Sequence, residues 1–291
     1  MDSSYLALCL LNAFLSYTAT MLNIVTIHAI RKTPSLSKNL KTLLLSLAVS
    51  DLGVGLLAQP MYVVHLVSMD WNENNETSKT YNAIYIAVLV PTNLFIYATL
   101  FLAIILCAER FMATHYYFTY QDLVTHKRVV TVVVSTWVLS GLFSLTRLLI
   151  PKSIMYVVFG ITEVACIIAA TLFSIRIYSS VRLHMNEIQV LQLQHAPQNA
   201  QMVNVQRMRK FAMMSVYVCF VLMVCYLPII CTGFAVAFTS RTSTGIKHLY
   251  FYTLTLAFLN SSLNPVIYSW KMKHIRHTII GFIRNAFTKQ N

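Results

Sequence analysis

Long apolar runs separated by short polar segments dominate the chain. Each run has about the length that an α-helix needs to cross the hydrocarbon core of a bilayer, and inside them only Asp51 and Glu163 carry a formal charge. The runs are Tyr5–Ile30, Thr42–Leu66, Tyr81–Ala108, Val129–Thr146, Ile154–Ile175, Phe211–Thr239 and His248–Trp270. The pattern predicts an all-α membrane protein: one domain over 1–291, a seven-transmembrane helix bundle with helices at about 5–30, 40–66, 80–113, 127–149, 154–185, 205–239 and 246–271.

Composition agrees with a membrane protein, because 57% of the residues are hydrophobic and only 11% are charged, against about 25% charged in soluble domains. Lysine and arginine are concentrated in every second connection and in the tail, and such residues accumulate on the cytoplasmic side. We therefore expect the amino terminus outside. The net charge of +13 is then a topology signal that also favours anionic membrane lipid, and it does not indicate nucleic-acid binding.

After the seventh run, apolar residues recur at every fourth position among basic ones, at Ile275, Ile279, Ile283 and Phe287. This spacing places them on one face of a helix. An amphipathic helix with a basic polar face lies in the membrane surface, so we predict such an eighth helix at about 273–287.

Polar residues inside the seventh run form the most informative segment. Asn260 and Asn264 are four residues apart and share a helix face, while Pro265 removes a backbone hydrogen bond within the helix. Tyr268 follows one turn after Asn264. Polar groups in hydrocarbon are costly and usually functional, so the segment predicts a hinge.

Three other groups in the apolar runs need a partner. Asp51 lies near the middle of the second run, so its carboxylate must be protonated, paired with another helix or bound to a cation. Asn23 and Trp137 are more simply explained as ties between helices, one by a hydrogen bond and the other by packing of its indole ring.

Short motifs complete the pattern. The third run ends in Glu109-Arg110-Phe111, and the sixth run contains Tyr226 and Pro228 in a Cys-Tyr-Leu-Pro segment. Together with Asp51 and the Asn-Pro-x-x-Tyr segment of the seventh run, these motifs resemble those of rhodopsin-like (class A) G-protein-coupled receptors. The resemblance extends over about 23–287 and includes all seven runs.

The resemblance implies a multi-pass receptor of the plasma membrane that binds an extracellular ligand and activates a heterotrimeric G protein. It also implies an allosteric sodium ion as the one candidate cofactor, held by Asp51, Thr99, Asn260 and Asn264. In the family, the arginine of the third helix is held by its neighbouring acid at rest and is released on activation. The implied switch residues are Glu109, Arg110, Tyr226, Pro228, Asn264, Pro265 and Tyr268. In the family, an acid at the start of the sixth helix can also hold this arginine. Residues 206–210, just before the sixth run, include no acid, and this predicts basal activity.

Ligand classes are narrowed by the residues at family pocket positions. Thr92 stands where amine receptors carry an aspartate, and Phe258 stands where opsins carry the retinal-binding lysine, so neither ligand is expected. Tyr85 stands where the cysteine of the usual outer disulfide is expected, the second outer loop is short, and the fifth helix lacks its usual proline. Together these features most resemble the melanocortin, lysophospholipid, cannabinoid and adenosine receptors, and the melanocortin branch in particular. A melanocortin-like peptide or an adenosine-like or lipid-like small ligand is implied. The candidate pocket residues are Thr92, Asn93, Ile96, Glu163, Tyr226, Ile230, Gly233, Tyr250, Leu254 and Phe258.

Some alternatives stay open at this stage. Glu163 could form a structural ion pair with Arg147 or could contact the ligand. A transporter or channel could also have seven helices, although the two halves show no internal repeat. The chain has no metalloprotease, nucleophile-elbow or phosphate-loop motif, so an enzyme is not expected. Asn75 begins an Asn-Glu-Thr glycosylation signal on the predicted outer side.

Overall fold

Long helices make up nearly all of the described chain in the computed structural model, which describes residues 3–34, 36–71, 79–116, 119–194, 199–239, 244–271 and 276–281. A π-helical segment, Val54–Ala58, joins α2 and α3 into one bent rod. The helices are α1 (Ser3–Lys32), α2 (Lys38–Gly53), α3 (Gln59–Trp71), α4 (Lys79–His115), α5 (Tyr120–Leu123), α6 (His126–Thr146), α7 (Lys152–Gln194), α8 (Asn199–Phe238) and α9 (Thr244–Lys271).

Six of the described helices are long and apolar enough to cross a membrane. They are α1, the α2–α3 rod, α4, α6, α7 and α8. The seventh predicted span is present as the 28-residue helix α9, but the polar residues around Asn260 reduce its hydropathy and it is not among the six. Its passage through the membrane therefore stays a prediction.

Several boundaries differ from the sequence prediction. Helix α6 ends at Thr146 and not at the predicted residue 149, because residues 147–149 form turns. The helices α7 and α8 are longer than predicted and extend into the glutamine-rich connection, to Gln194 and from Asn199. Of the surface helix predicted at about 273–287, residues 276–281 are described and are helical, and the rest lies outside the described residues.

The π-helical segment was not predicted, and Pro60 gives a physical reason for it. A proline has no N–H and its ring collides with the carbonyl four residues earlier, so the preceding turn must widen. The wider turn brings backbone close to α1, where Ser16 Oγ donates to the Gly55 carbonyl over 2.7 Å. A Cβ at Gly55 would lie 3.0 Å from the Ser16 carbonyl oxygen, so the close approach requires glycine.

Helix α4 occupies the centre of the bundle and packs against the α2–α3 rod, α6, α7 and α8, while α9 packs against α1, α2 and α8. Two predicted ties are confirmed. Asn23 Nδ2 donates to the Ser261 carbonyl over 2.9 Å and joins α1 to α9. Trp137 Nε1 donates to Ser46 Oγ over 2.9 Å, and its ring packs edge-to-face on Phe95 of α4.

The outside of the bundle is apolar over long distances. Phe14 on α1, Leu142 on α6 and Leu172 on α7 are each more than half exposed, and further large apolar side chains are exposed along the same helices. Soluble monomers rarely show apolar surface on this scale. The exposed apolar faces indicate a bundle surrounded by lipid.

Candidate functional site

A cavity of about 230 Å³ opens between α3, α4, α7, α8 and α9 at the end of the bundle where α6 meets α7. Eight of the ten predicted pocket residues line it: Thr92, Asn93, Ile96, Glu163, Ile230, Gly233, Tyr250 and Leu254. The other two, Tyr226 and Phe258, are buried and do not line it. They lie one helical turn deeper than Ile230 and Leu254, so the cavity is shallower than the sequence predicts.

Residues that the pocket prediction omitted form much of the polar and aromatic wall. Arg147 and Phe159 line the cavity, as do Tyr85, Tyr156 and Lys247. Helical spacing could have identified two of them, because Tyr156 and Phe159 precede Glu163 by seven and four residues and therefore share its face of α7. Arg147 lies in the turn after α6, and only the tertiary structure shows that it points inward.

Glu163 and Arg147 both face the cavity, yet the structure does not pair them. Glu163 Oε1 accepts a hydrogen bond from the Tyr97 hydroxyl over 3.2 Å. The Arg147 guanidinium lies over the Phe159 ring, 4.5 Å from its centroid. Among the residues that the structure describes, no ion pair within 4.0 Å joins Arg147 to Glu163. The direct structural ion pair that the sequence left open is therefore not formed.

A second group of polar residues, here called the Asp51 cluster, lies deeper in the bundle and consists of Asp51, Thr99, Asn260 and Asn264. The Asn264 amide donates to Asp51 Oδ2 over 2.8 Å and joins α9 to α2. Thr99 Oγ1 lies 3.1 Å from Ser50 Oγ, which joins α4 to α2. Asp51, Asn260 and Asn264 are fully buried. The three helices thus meet at the predicted sodium residues.

Several atoms of this cluster have unused hydrogen-bonding capacity. Within the described part of the chain, Asp51 Oδ1, Asn264 Oδ1 and both polar side-chain atoms of Asn260 lack a partner. No described group of three or more His, Cys, Asp or Glu could hold a metal ion. A hard cation such as sodium instead prefers carboxylate, amide and hydroxyl oxygens, and the cluster offers all three. The residues present therefore fit such an ion.

A third group, here called the Glu109 cluster, lies at the opposite end of α4 from the cavity and consists of Asn39, Glu109, Arg110 and Tyr120. Arg110 donates from Nε and Nη2 to the two carboxylate oxygens of Glu109, and both residues are buried. The Tyr120 hydroxyl donates to Glu109 as well. Asn39 Nδ2 donates to the Val124 carbonyl over 2.8 Å and lies 3.4 Å from the Tyr120 oxygen.

Tyr120 was not among the predicted switch residues. It comes from the short helix α5, which packs its ring beside the end of α4. Burial, reinforced by the neighbouring Glu109 carboxylate, raises the pKa of the Tyr120 hydroxyl to about 12. The hydroxyl therefore remains a protonated donor at neutral pH and holds Glu109 in place.

The remaining predicted switch residues lie on α8 and α9. Pro228 is inside α8 and Pro265 is inside α9, where each interrupts the backbone hydrogen bonding. One turn beyond Pro228, Thr232 Oγ1 lies 2.8 Å from Thr253 Oγ1 and links the two helices. Tyr268 is fully buried, and its hydroxyl has no partner among the described residues. Asn75 lies outside the described residues.

Comparison with known families gives one match. Residues 22–268 match the family model described as 7 transmembrane receptor (rhodopsin family). The match covers most of the chain and includes the cavity, the Asp51 cluster and the Glu109 cluster. Members of this family signal as multi-pass membrane receptors and are in general not enzymes. The chain belongs to the rhodopsin family of seven-transmembrane receptors.

Proposed function

We propose that the chain is a plasma-membrane receptor that binds an extracellular ligand in the cavity and activates a heterotrimeric G protein. The observation that carries this proposal is the bidentate contact of Arg110 with Glu109 at the end of α4, at the opposite end of the bundle from the cavity. A buried arginine that only its neighbour holds can be released to a partner when the helices move. The amino terminus and the cavity then face outside.

Signalling requires that the ligand favour one of two arrangements of the bundle. A ligand in the cavity touches α4, α7, α8 and α9 at once, so it senses their relative positions. The proline within α8 lets that helix swing at Pro228, and the one within α9 lets its end rearrange at Pro265. Outward movement of α8 opens a cleft beside Arg110, where the G protein binds.

Sodium is proposed to bind at the Asp51 cluster and to favour the resting arrangement, because Asp51, Thr99 and Asn264 come from three different helices. The unpartnered oxygens of Asp51 and Asn264 support this assignment. The ion supplies a positive charge that balances the Asp51 carboxylate. The residues of α2, α4 and α9 would position the ion. The three helices would then be linked, because all of them contact the same charge.

The ligand is proposed to be a small molecule or a short part of a peptide. A melanocortin-like peptide and an adenosine-like or lipid-like molecule remain the classes that the family resemblance implies. A wall of apolar and aromatic side chains with a few polar anchors is typical of small-molecule sites. Thr92 in place of an acid on α4 speaks against a simple amine.

Ligand-free signalling in cells tests the function. Cyclic AMP is measured in both directions for the wild type, for Arg110→Ala and for Arg176→Ala, which removes an exposed arginine from α7 as the matched control. We expect the wild type and Arg176→Ala to change cyclic AMP, and Arg110→Ala to abolish the change at equal surface expression. An Arg110→Ala variant that signals like the wild type would contradict the proposal, and the transporter alternative would then be pursued.

A further inference from the structure

Glu163 and Arg147 both line the cavity, and no ion pair within 4.0 Å joins these two described residues; Lys247 lines the cavity as well. We propose that the cavity binds a small zwitterion, whose cationic group pairs with Glu163 and whose acidic group pairs with Arg147. This inference rests on the proposed ligand site and names the chemistry of its ligand. Its basis is the geometry of Arg147, Phe159 and Glu163.

Helical spacing relates the position of Arg147 to that of Glu163. Phe159 and Glu163 are four residues apart on α7, so they lie on one face and about 6 Å apart along the helix axis. The Arg147 guanidinium lies on the Phe159 ring, 4.5 Å from its centroid. The guanidinium therefore packs on the residue one helical turn from Glu163, and no ion pair within 4.0 Å joins the two described groups. A short molecule with a charge at each end suits this arrangement.

The Glu163 carboxylate and the Arg147 guanidinium can each form further hydrogen bonds with a ligand in the cavity. Tyr97 donates one hydrogen bond to Glu163 Oε1, and a carboxylate accepts several more. The Nε atom of Arg147 is buried and has no hydrogen-bond partner among the described residues. Both groups line the cavity. A ligand with complementary groups would satisfy both.

Thr92 of α4 is a third polar residue of the cavity wall. Thr92 is only 6% exposed, its hydroxyl has no described partner, and it lines the cavity. Buried polar atoms without partners are unfavourable, so the Thr92 hydroxyl favours a ligand with a polar group. The apolar wall between these groups includes Ile96, Ile230 and Leu254 and would contact the ligand's hydrocarbon body.

Single-charge ligands fit less well. A simple amine would pair with Glu163 but leave Arg147 unpaired, and a fatty acid would pair with Arg147 but leave Glu163 unpaired. An unpaired charge in a partly desolvated site is strongly unfavourable. A basic peptide side chain, like a simple amine, would pair with Glu163 and leave Arg147 without an acidic partner. The zwitterion is the class that uses both groups.

Three matched probes test this directly on the full chain purified in detergent. The zwitterion δ-aminovalerate is compared with pentylamine and with valerate, which have the same carbon chain but only one of the two charges. The readout is the shift in melting temperature with probe concentration, which reports binding to the folded state. We expect δ-aminovalerate to bind about tenfold or more tightly than either other probe, because it forms two charged hydrogen-bonded contacts where each of them forms one.

Two variants show which end of the probe each side chain recognises. Glu163→Gln should remove the preference for δ-aminovalerate over valerate, and Arg147→Gln should remove its preference over pentylamine. A purely structural role would weaken all three probes equally and leave these ratios unchanged. Asp122→Asn and Arg128→Gln make the same chemical changes at exposed positions far from the cavity and should leave all three affinities unchanged.

Two results would overturn the inference. One is that δ-aminovalerate binds no better than pentylamine or valerate to the wild type, including the case in which none of them shifts the melting temperature. The other is that the affinity ratios of δ-aminovalerate to valerate and to pentylamine are unchanged in both Glu163→Gln and Arg147→Gln. The assay contains no G protein, so failure here with intact Arg110-dependent signalling rejects only the zwitterion. Zwitterion binding without Arg110-dependent signalling rejects the coupling proposal instead.

Discussion

The Glu109 and Asp51 clusters are both buried and both contain a carboxylate, but they differ in how completely they are hydrogen-bonded. In the Glu109 cluster, both carboxylate oxygens are engaged by Arg110, and Tyr120 adds a further donor. In the Asp51 cluster, one carboxylate oxygen and three amide atoms of Asn260 and Asn264 have no partner in the described part of the chain.

The difference indicates two kinds of site. A carboxylate that is fully bonded by its own chain is a closed contact, which must break before Arg110 can reach another molecule. A carboxylate with unpartnered neighbours is incomplete by itself, because unsatisfied buried polar atoms cost about 1–3 kcal/mol each. It requires a cation or ordered water. This difference supports the proposal that the first cluster acts as a latch for Arg110 and that the second binds a cation.

Removing the acid of the latch should have the largest effect. Glu109→Ala leaves the buried Arg110 guanidinium without its partner, which costs about 3–5 kcal/mol of stability. The melting temperature of the purified protein should fall clearly. Asp122→Ala is the matched control, because it removes an exposed acid from α5, and it should change the melting temperature little. Equal small changes in the two variants would show that the latch does not hold Arg110.

The Asp51 cluster should respond to the cation instead. Replacing potassium by sodium at constant ionic strength should raise the melting temperature of the wild type. When sodium is tenfold above its dissociation constant, its binding stabilises the folded protein by about 1.4 kcal/mol. Asp51→Asn keeps the shape but removes the charge, so the sodium response should disappear. A response that survives in Asp51→Asn, or one that potassium gives equally, would contradict the assignment.

A smaller effect is expected for the outer part of the latch. Tyr120→Phe removes one hydrogen bond to Glu109 and should cost about 1 kcal/mol at neutral pH. Because the folded-state pKa of Tyr120 is raised to about 12, above its ordinary value of 10.0, this contribution is present below pH 10 and is lost as the pH rises to 12.

The measurement is the difference in melting temperature between wild type and Tyr120→Phe, followed from neutral pH to pH 11. The difference should shrink above pH 10. Other tyrosines titrate in both proteins, and their effect cancels in the difference. A difference that stays constant across this range would show that the Tyr120 hydroxyl does not contribute through its contact with Glu109.

Much of this organisation could be predicted from the sequence. Charge-free runs predict long helices because the bilayer fixes their length, and the helix bounds agree to within a few residues for α1, α4 and α9. Asp51 and Asn264 could be singled out because polar residues within apolar runs are usually functional. They could be grouped with Glu109 and Arg110 because the motifs of all four resemble those of rhodopsin-like receptors.

Other features depend on contacts between helices and could not be predicted. The π-helical segment reflects the collision of Pro60 with the preceding turn and the close approach of Gly55 to α1. Tyr120 and Arg147 lie in connections, where no periodicity shows which way a side chain points. The depth of the cavity, which excludes Tyr226 and Phe258, depends on how side chains from several helices pack together, and the pattern along a single helix does not show this.

Nucleotide exchange on purified G proteins tests the central claim most directly. The wild type, Arg110→Ala and Arg176→Ala are reconstituted separately in lipid nanodiscs, each with one member of every main class of heterotrimeric G protein. Without added ligand, the wild type and Arg176→Ala should accelerate exchange on at least one class, and Arg110→Ala should return the rate to that of the G protein alone. Wild-type protein that accelerates none of the classes, or an Arg110→Ala variant that matches it, would contradict the account.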